Sequence, residues 1–248
     1  MIYNLHKVNP LNTGDSLSPP ALYFNLQDSV QILDLCQVKF LNLTAPQAII
    51  VGGGGLLYFK KSMDYLCNNK KRPLIGWGFG CNDHNSKNIS FPPLKEFDLL
   101  GVRDYTNQFQ WTPCASCMRP EFDHPQEQQR DIVIYEHQDR PIPIKGFEKI
   151  NNTTPFETVM KFLSSAEIVL TNTYHGAYWS ILLAKKVVAF PFSNRFHGFK
   201  HTIPLCEPQD WERAILDSQA YPEALKECRQ ANQEFYGSVM SLINIKLQ

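Results

Sequence analysis

Short apolar runs that end in glycine recur through the first half of the chain. Ala48-Ile49-Ile50-Val51 runs into Gly52-Gly53-Gly54-Gly55, Pro73-Leu74-Ile75 into Gly76-Trp77-Gly78-Phe79-Gly80, and Phe97-Asp98-Leu99-Leu100 into Gly101-Val102-Arg103-Asp104. Uninterrupted apolar runs of this length suit strands buried on both faces, as in a parallel sheet. The intervals predict helical pieces, residues 57–69 among them. Residues 111–130 change character: rich in Pro, Cys, Gln and acidic side chains, they read as a linker or irregular crossing. A strand-like run, residues 131–135, opens the second half. Thr154, Pro155 and Glu157 then predict a helix start with a capping box. Phe156, Val159, Met160 and Leu163 supply its i, i+3, i+4, i+7 stripe. Residues 167–170 read as a strand, 175–186 as a helix with Tyr178, Ile181 and Leu182 on its buried side, and 187–192 as another strand. A β-α-β-α-β series implies a parallel sheet covered by helices. Residues 222–245 read as a closing helix.

The expected fold is therefore α/β, with two Rossmann-like lobes built on mainly parallel sheets. The lobes are residues 1–125 and residues 126–248, the second carrying the closing helix. A ligand cleft between them, at the carboxyl ends of the strands, is the expected site.

Composition narrows the class. At 43% hydrophobic and 12% aromatic, 248 residues can bury a sizeable core without disulfides or a structural metal. Lys+Arg and Asp+Glu are both 24, so a broad electrostatic grip on nucleic acid or an anionic membrane is disfavoured. The longest mostly apolar stretch, residues 48–59, is too short to span a bilayer. The N-terminal MIYNLHKVNP lacks the apolar core of a signal peptide. Seven scattered cysteines suit a reducing compartment, and a cytoplasmic location is expected.

Several loops carry candidate chemistry. Gly52 to Gly55, with Gly53 and Gly54 at its centre, either lets backbone N–H groups approach an anion or makes a tight strand-to-helix turn. It lacks the Lys-Ser/Thr of a P-loop and the register of a dinucleotide-binding turn. Asp15, in Asn12-Thr13-Gly14-Asp15, either caps a helix holding Ser16 and Leu17 or acts directly. Arg103, at a strand's carboxyl end, either grips a carboxylate or phosphate or pairs with Asp104 at the surface. In Thr171-Asn172-Thr173-Tyr174-His175-Gly176, hydroxyls and amides precede a helix whose N-terminus favours anions and disfavours charge on His175. A bound phosphate would raise its pKa, which suits a histidine that gives up a proton beside an anionic substrate; a single structural hydrogen bond is the other reading. The segment from Phe192 to His201 alternates Arg195, His197, Lys200 and His201 with aromatics, as an anion clamp or a solvated loop. Cys114-Ala115-Ser116-Cys117 is a CxxC whose readings are core packing, redox chemistry, or a metal site with His124 and Cys81.

Taken together, these segments resemble one family. Asn12-Thr13-Gly14-Asp15 with Leu17-Ser18-Pro19, Val51 to Leu56, Gly101-Val102-Arg103-Asp104, Pro113-Cys114-Ala115-Ser116-Cys117-Met118 with Phe122-Asp123, and the blocks Thr171 to Trp179 and Phe190 to Lys200 are similar, in order, to motifs of polysaccharide pyruvyltransferases. The resemblance covers roughly residues 10 to 200. It implies a GT-B-like architecture and transfer of a pyruvyl group from phosphoenolpyruvate to two hydroxyls of a saccharide, giving a cyclic ketal. It implies no metal or cofactor beyond the donor substrate. His175 maps onto the acid that protonates the donor's methylene carbon, and Arg103 onto the clamp on its phosphate or carboxylate. Asp15, Gly53, Gly54, Asn172, Thr173, Arg195 and Lys200 are carried over as substrate-binding residues. The resemblance implies a saccharide acceptor, a lipid-linked one included. Thr173 stands where the family pattern has Ser, which keeps the hydroxyl. Two other readings stand beside this one: a GT-B-type glycosyltransferase using a nucleotide sugar, and a non-catalytic scaffold of a polysaccharide assembly complex. Trp111 and Trp179 are either sugar-stacking or core residues.

Overall fold

A computed structural model describes residues 1–8, 11–26 and 29–245. The chain is a mixed α/β protein with two parallel sheets. The first sheet contains β1 (Ile2–His6), β2 (Val30–Asp34), β3 (Ala48–Val51), β4 (Leu74–Phe79), β5 (Leu99–Val102) and β6 (Gln110–Trp111), in the order β2-β1-β3-β4-β5-β6. Between these strands lie the short helix α1 (Thr13–Ser16) and α2 (Lys60–Asn68). The second sheet, in the order β10-β9-β7-β8, contains β7 (Arg130–Glu136), β8 (Lys149–Asn151), β9 (Ala166–Thr171) and β10 (Lys186–Ala189). Helices α3 (Phe156–Ser164) and α4 (Tyr174–Leu182) flank β9, and α5 (Trp211–Ile215) and α6 (Ala224–Ile245) follow.

The apolar runs are buried on both faces, as their lack of alternation requires. In β3, Ile49 and Val51 face a core with Leu5, Leu35 and Leu66, whereas Ala48 and Ile50 face Ile2, Trp77 and Phe24. Trp77 and Phe79 are two residues apart in β4 yet face opposite cores. Gly78 causes this: its φ is +64°, and the pairing with β5 shifts between Trp77 and Phe79, so one extra residue turns the strand over.

The closing helix crosses back to the first sheet. Phe235, Val239 and Ile243, at i, i+4 and i+8, pack against Ile2, Ile50 and Trp77. Asn232, fully buried, accepts from Trp77 Nε1 at 2.9 Å and donates to Pro113 O at 3.2 Å.

Three local expectations need correction. The helix after Thr154 begins at Phe156 with Pro155 at its cap, and no side chain caps it. Thr154 is used elsewhere: its carbonyl accepts from Thr13 Oγ1 at 2.7 Å. Asn12, rather than Asp15, caps α1, accepting from the N–H groups of Gly14 and Asp15. The supposed linker at residues 111–130 is largely folded into the cores. Cys114 and Cys117 lie in the second half's core and Ala115 in the first's. Arg229 of α6 fastens this segment, donating to Cys117 O, Arg119 O and the Asp123 carboxylate.

Candidate active site

All strands in each sheet run parallel, so each sheet has one edge made only of carboxyl ends. Those two edges face one cavity of about 270 Å³. Its walls follow the strands almost residue by residue: Lys7 after β1, Gly53–Gly55 after β3, Asn82 after β4, Arg103 after β5, His137 after β7, Thr173 to His175 after β9, Arg195 beyond β10. A cleft at strand carboxyl ends is where open α/β sheets bind ligands.

Contacts across the cleft hold these walls in register. Thr13 N donates to Asn152 O at 3.0 Å, tying α1 to the second sheet. Asn194 and Asp83 exchange hydrogen bonds, Asn194 N to Asp83 O at 2.8 Å and Asp83 N to Asn194 Oδ1 at 2.7 Å.

The glycine turn is enforced by crowding. A Cβ on Gly53 would lie 2.7 Å from Ser18 O, and one on Gly55 would lie 2.7 Å from Asn82 Cβ and 3.4 Å from Arg103 Nη2. The backbone thus sits where side chains would fill the cavity.

Arg103 is only 4% exposed, so a surface pair with Asp104 is excluded. Its Nη2 donates to Cys81 O at 3.0 Å, and its guanidinium lies 3.9 Å from the centre of the Tyr174 ring. Its Nε is buried without a partner. Burial pushes the neighbouring Asp104 carboxyl up to about 6, against the pull of Arg103 and of the Cys81 N–H it accepts at 2.7 Å. Arg195 lies against the rings of Phe192 and Phe196, and its Nε and Nη2 are also buried without partners. Burial, then the charge of Arg103, lowers it to about 9. Buried N–H groups left unpaired are costly, and an anion is the partner that satisfies two guanidinium groups. Asp15 is the carboxylate among them. Burial raises its pKa, while Arg195, Arg103 and Lys7 pull it down.

His175 occupies the first turn of α4, where Thr173 Oγ1 caps the helix by accepting from Gly176 N at 2.8 Å. Burial, followed by the charges of Arg103 and Arg195, lowers its pKa to about 3. The imidazole is therefore neutral at pH 7. Its Nδ1 packs beside Gly14, where a Cβ would come within 2.0 Å. Its Nε2 lies 3.5 Å from Cys114 Sγ, which in turn lies 3.3 Å from Ser116 Oγ. Tyr178 Oη donates to Cys114 O at 2.8 Å and Trp179 Nε1 to Ser116 Oγ at 3.0 Å. Positions i, i+3 and i+4 of one helix face thus grip the Cys114 to Ser116 segment and orient the imidazole.

The structure brings Asp15, Gly53, Gly54, Arg103, Thr173, His175 and Arg195 to one cavity. Two sequence candidates lie outside it. Lys200 pairs with Glu227 at 2.8 Å and sits over the Trp111 ring. Asn172 spends its side chain on backbone, accepting from His137 N and donating to Arg140 O. Trp179 is fully buried. Among the described residues, no three His, Cys, Asp or Glu side chains gather as metal ligands, so Cys81, Cys114, Cys117 and His124 do not form such a set. Lys7, Asn82, His84 and His137 line the cavity without having been expected there. The signal for His137 was its position just beyond a strand-like run; Lys7 carried none, because β1 itself was not read from the sequence.

No family model matches the chain, and no curated protein matches it. Among solved structures, an uncharacterized protein from Klebsiella pneumoniae is similar with a TM-score of 0.46 and 16% identity, over 76% of this chain and 83% of that one. Among the described residues, no helix is long and apolar enough to cross a membrane.

Proposed function

We propose that the chain is a cytoplasmic pyruvyltransferase that moves a pyruvyl group from phosphoenolpyruvate onto a saccharide, in polysaccharide or glycoconjugate biosynthesis. On this reading the two sheets are the lobes of a GT-B-like enzyme, divided near residues 125 and 126. One observation carries it: two buried guanidinium groups with unpartnered N–H face a small cavity beside a buried neutral imidazole. A compact donor with a phosphate and a carboxylate matches that charge and size.

Arg103 and Arg195 hold the donor's anionic groups, with Lys7 adding charge at the rim. Burial is the first cause of the low His175 pKa and the two arginine charges the second; the bound anions offset those charges and add their own attraction for the imidazolium, which together bring a proton onto the imidazole. His175 then protonates the methylene carbon, which becomes a methyl group, and the adjacent carbon becomes electrophilic. One acceptor hydroxyl oxygen bonds to that carbon. The carbon–oxygen bond to phosphate breaks, phosphate leaves with the electron pair, and a second hydroxyl closes the ketal. The two hydroxyl protons balance the one delivered through His175 and the one carried by the released phosphate.

The test is incubation with phosphoenolpyruvate and a panel of saccharides, following phosphate release and ketal methyl signals by NMR. Transfer with wild type and none with His175→Ala is expected. Transfer by the folded His175→Ala protein at the wild-type rate contradicts the assignment.

A further inference from the structure

A second groove, about 730 Å³ in volume, adjoins the cavity. The two share Phe59 and Asn82 in their walls, which places one end of the groove beside the cavity. Asn82 Oδ1 is buried there without a partner. It is a hydrogen-bond acceptor without a donor, on a residue that lines the cavity together with Arg103 and Arg195. The groove wall is mixed in the way that suits a polyol. Tyr58 is 56% exposed and stands edge-on to His84, a residue of the cavity, at 5.7 Å. Phe91 adds a second ring, while Asp83 and Asn85 add short polar side chains. An exposed ring fixed beside hydroxyl-binding groups offers a flat apolar face and a polar edge, as a pyranose requires.

We propose that this groove is the acceptor site and takes a saccharide, stacked on Tyr58, whose attacking hydroxyl donates to Asn82 Oδ1. The inference rests on the transfer reading for its role, but the groove's ligand class is tested apart from it. Asn82 acts by orienting the hydroxyl oxygen toward the cavity. Gly55 makes this position available, because a Cβ there would lie 2.7 Å from Asn82 Cβ.

The probes are methyl glycosides of glucose, galactose, mannose and N-acetylglucosamine. Their binding is read by saturation-transfer NMR with and without phosphoenolpyruvate, for wild type, Tyr58→Ala and Asn82→Ala. Tyr58 is exposed, so its variant keeps the fold, and the thermal shift given by phosphoenolpyruvate reports the donor site separately. The expected result is glycoside binding by wild type that weakens about tenfold in Tyr58→Ala and falls in Asn82→Ala. The donor-induced shift of Tyr58→Ala stays at the wild-type value. Glycoside binding unchanged in both variants, or none by wild type, overturns the proposal. Absence of any donor-induced shift in wild type refutes the donor reading instead, and the glycoside data still decide the groove.

Discussion

Replacing His175 by Gln should make the protein less sensitive to acid. The folded imidazole is pushed from an ordinary 6.5 to about 3 by burial and by Arg103 and Arg195. The unfolded chain therefore binds a proton below pH 6.5 that the folded chain refuses until near pH 3. Stability is lost as pH falls through that window, at up to ~1.4 kcal/mol per pH unit. Between pH 7 and pH 5 the loss from this one side chain is about 2 kcal/mol. The raised carboxyls of Asp15 and Asp104 act in the opposite sense, since their folded forms take up protons first as pH falls. Both proteins share them, so they cancel in the difference. Urea midpoints at pH 7, 6 and 5 supply the assay. Wild type should fall relative to His175→Gln by about 2 kcal/mol over that range. Parallel curves would refute the reasoning, because they would mean an imidazole that titrates like a solvated one.

Other predictions follow from the same geometry. Phosphoenolpyruvate should bind with net proton uptake at pH 6, read by calorimetry in two buffers of different ionisation enthalpy; equal observed heats in the two buffers would contradict the coupling of His175 to the anion. Gly14→Ala places a Cβ 2.0 Å from Nδ1 of His175, so the ring must move. Displacing the ring by about 1 Å should reduce transfer ~10²-fold with the fold intact, and an undiminished rate would contradict the assigned position. Asn232→Ala leaves the buried Trp77 N–H and Pro113 carbonyl without partners. It should lower stability by ~1–3 kcal/mol, seen as a reduced Tm, whereas an unchanged Tm would show that water repairs both groups.

Much of the architecture was legible because its strands are buried on both faces. Ala48–Val51 and the Ile-Val-Leu of residues 168–170 appear as apolar runs, and the glycine turn, Arg103 and His175 lie just beyond such runs. β1 was missed because polar Asn4 and His6 interrupt it. Asn4 is satisfied only by contacts far along the chain, donating to Gly52 O and accepting from Ala21 N. The segment around Cys114 was read as a crossing because its burial depends on α4 and α6, which local periodicity does not record. Lys200 was misplaced for a similar reason. Its spacing to Arg195 suggested a shared clamp, but Glu227, on the distant closing helix, takes its charge. Asn82 has no local signature; the orphaned oxygen is visible only when both halves are assembled.

The most direct test of the account is a thermal-shift titration with phosphoenolpyruvate, alongside nucleotide sugars, on wild type and Arg195→Gln. A ligand that binds only the folded state adds ~2.7 kcal/mol at a hundredfold excess over Kd. The account predicts stabilisation of wild type by phosphoenolpyruvate and its loss in Arg195→Gln. Stabilisation by nucleotide sugars alone, or an equal shift in both proteins, would contradict it.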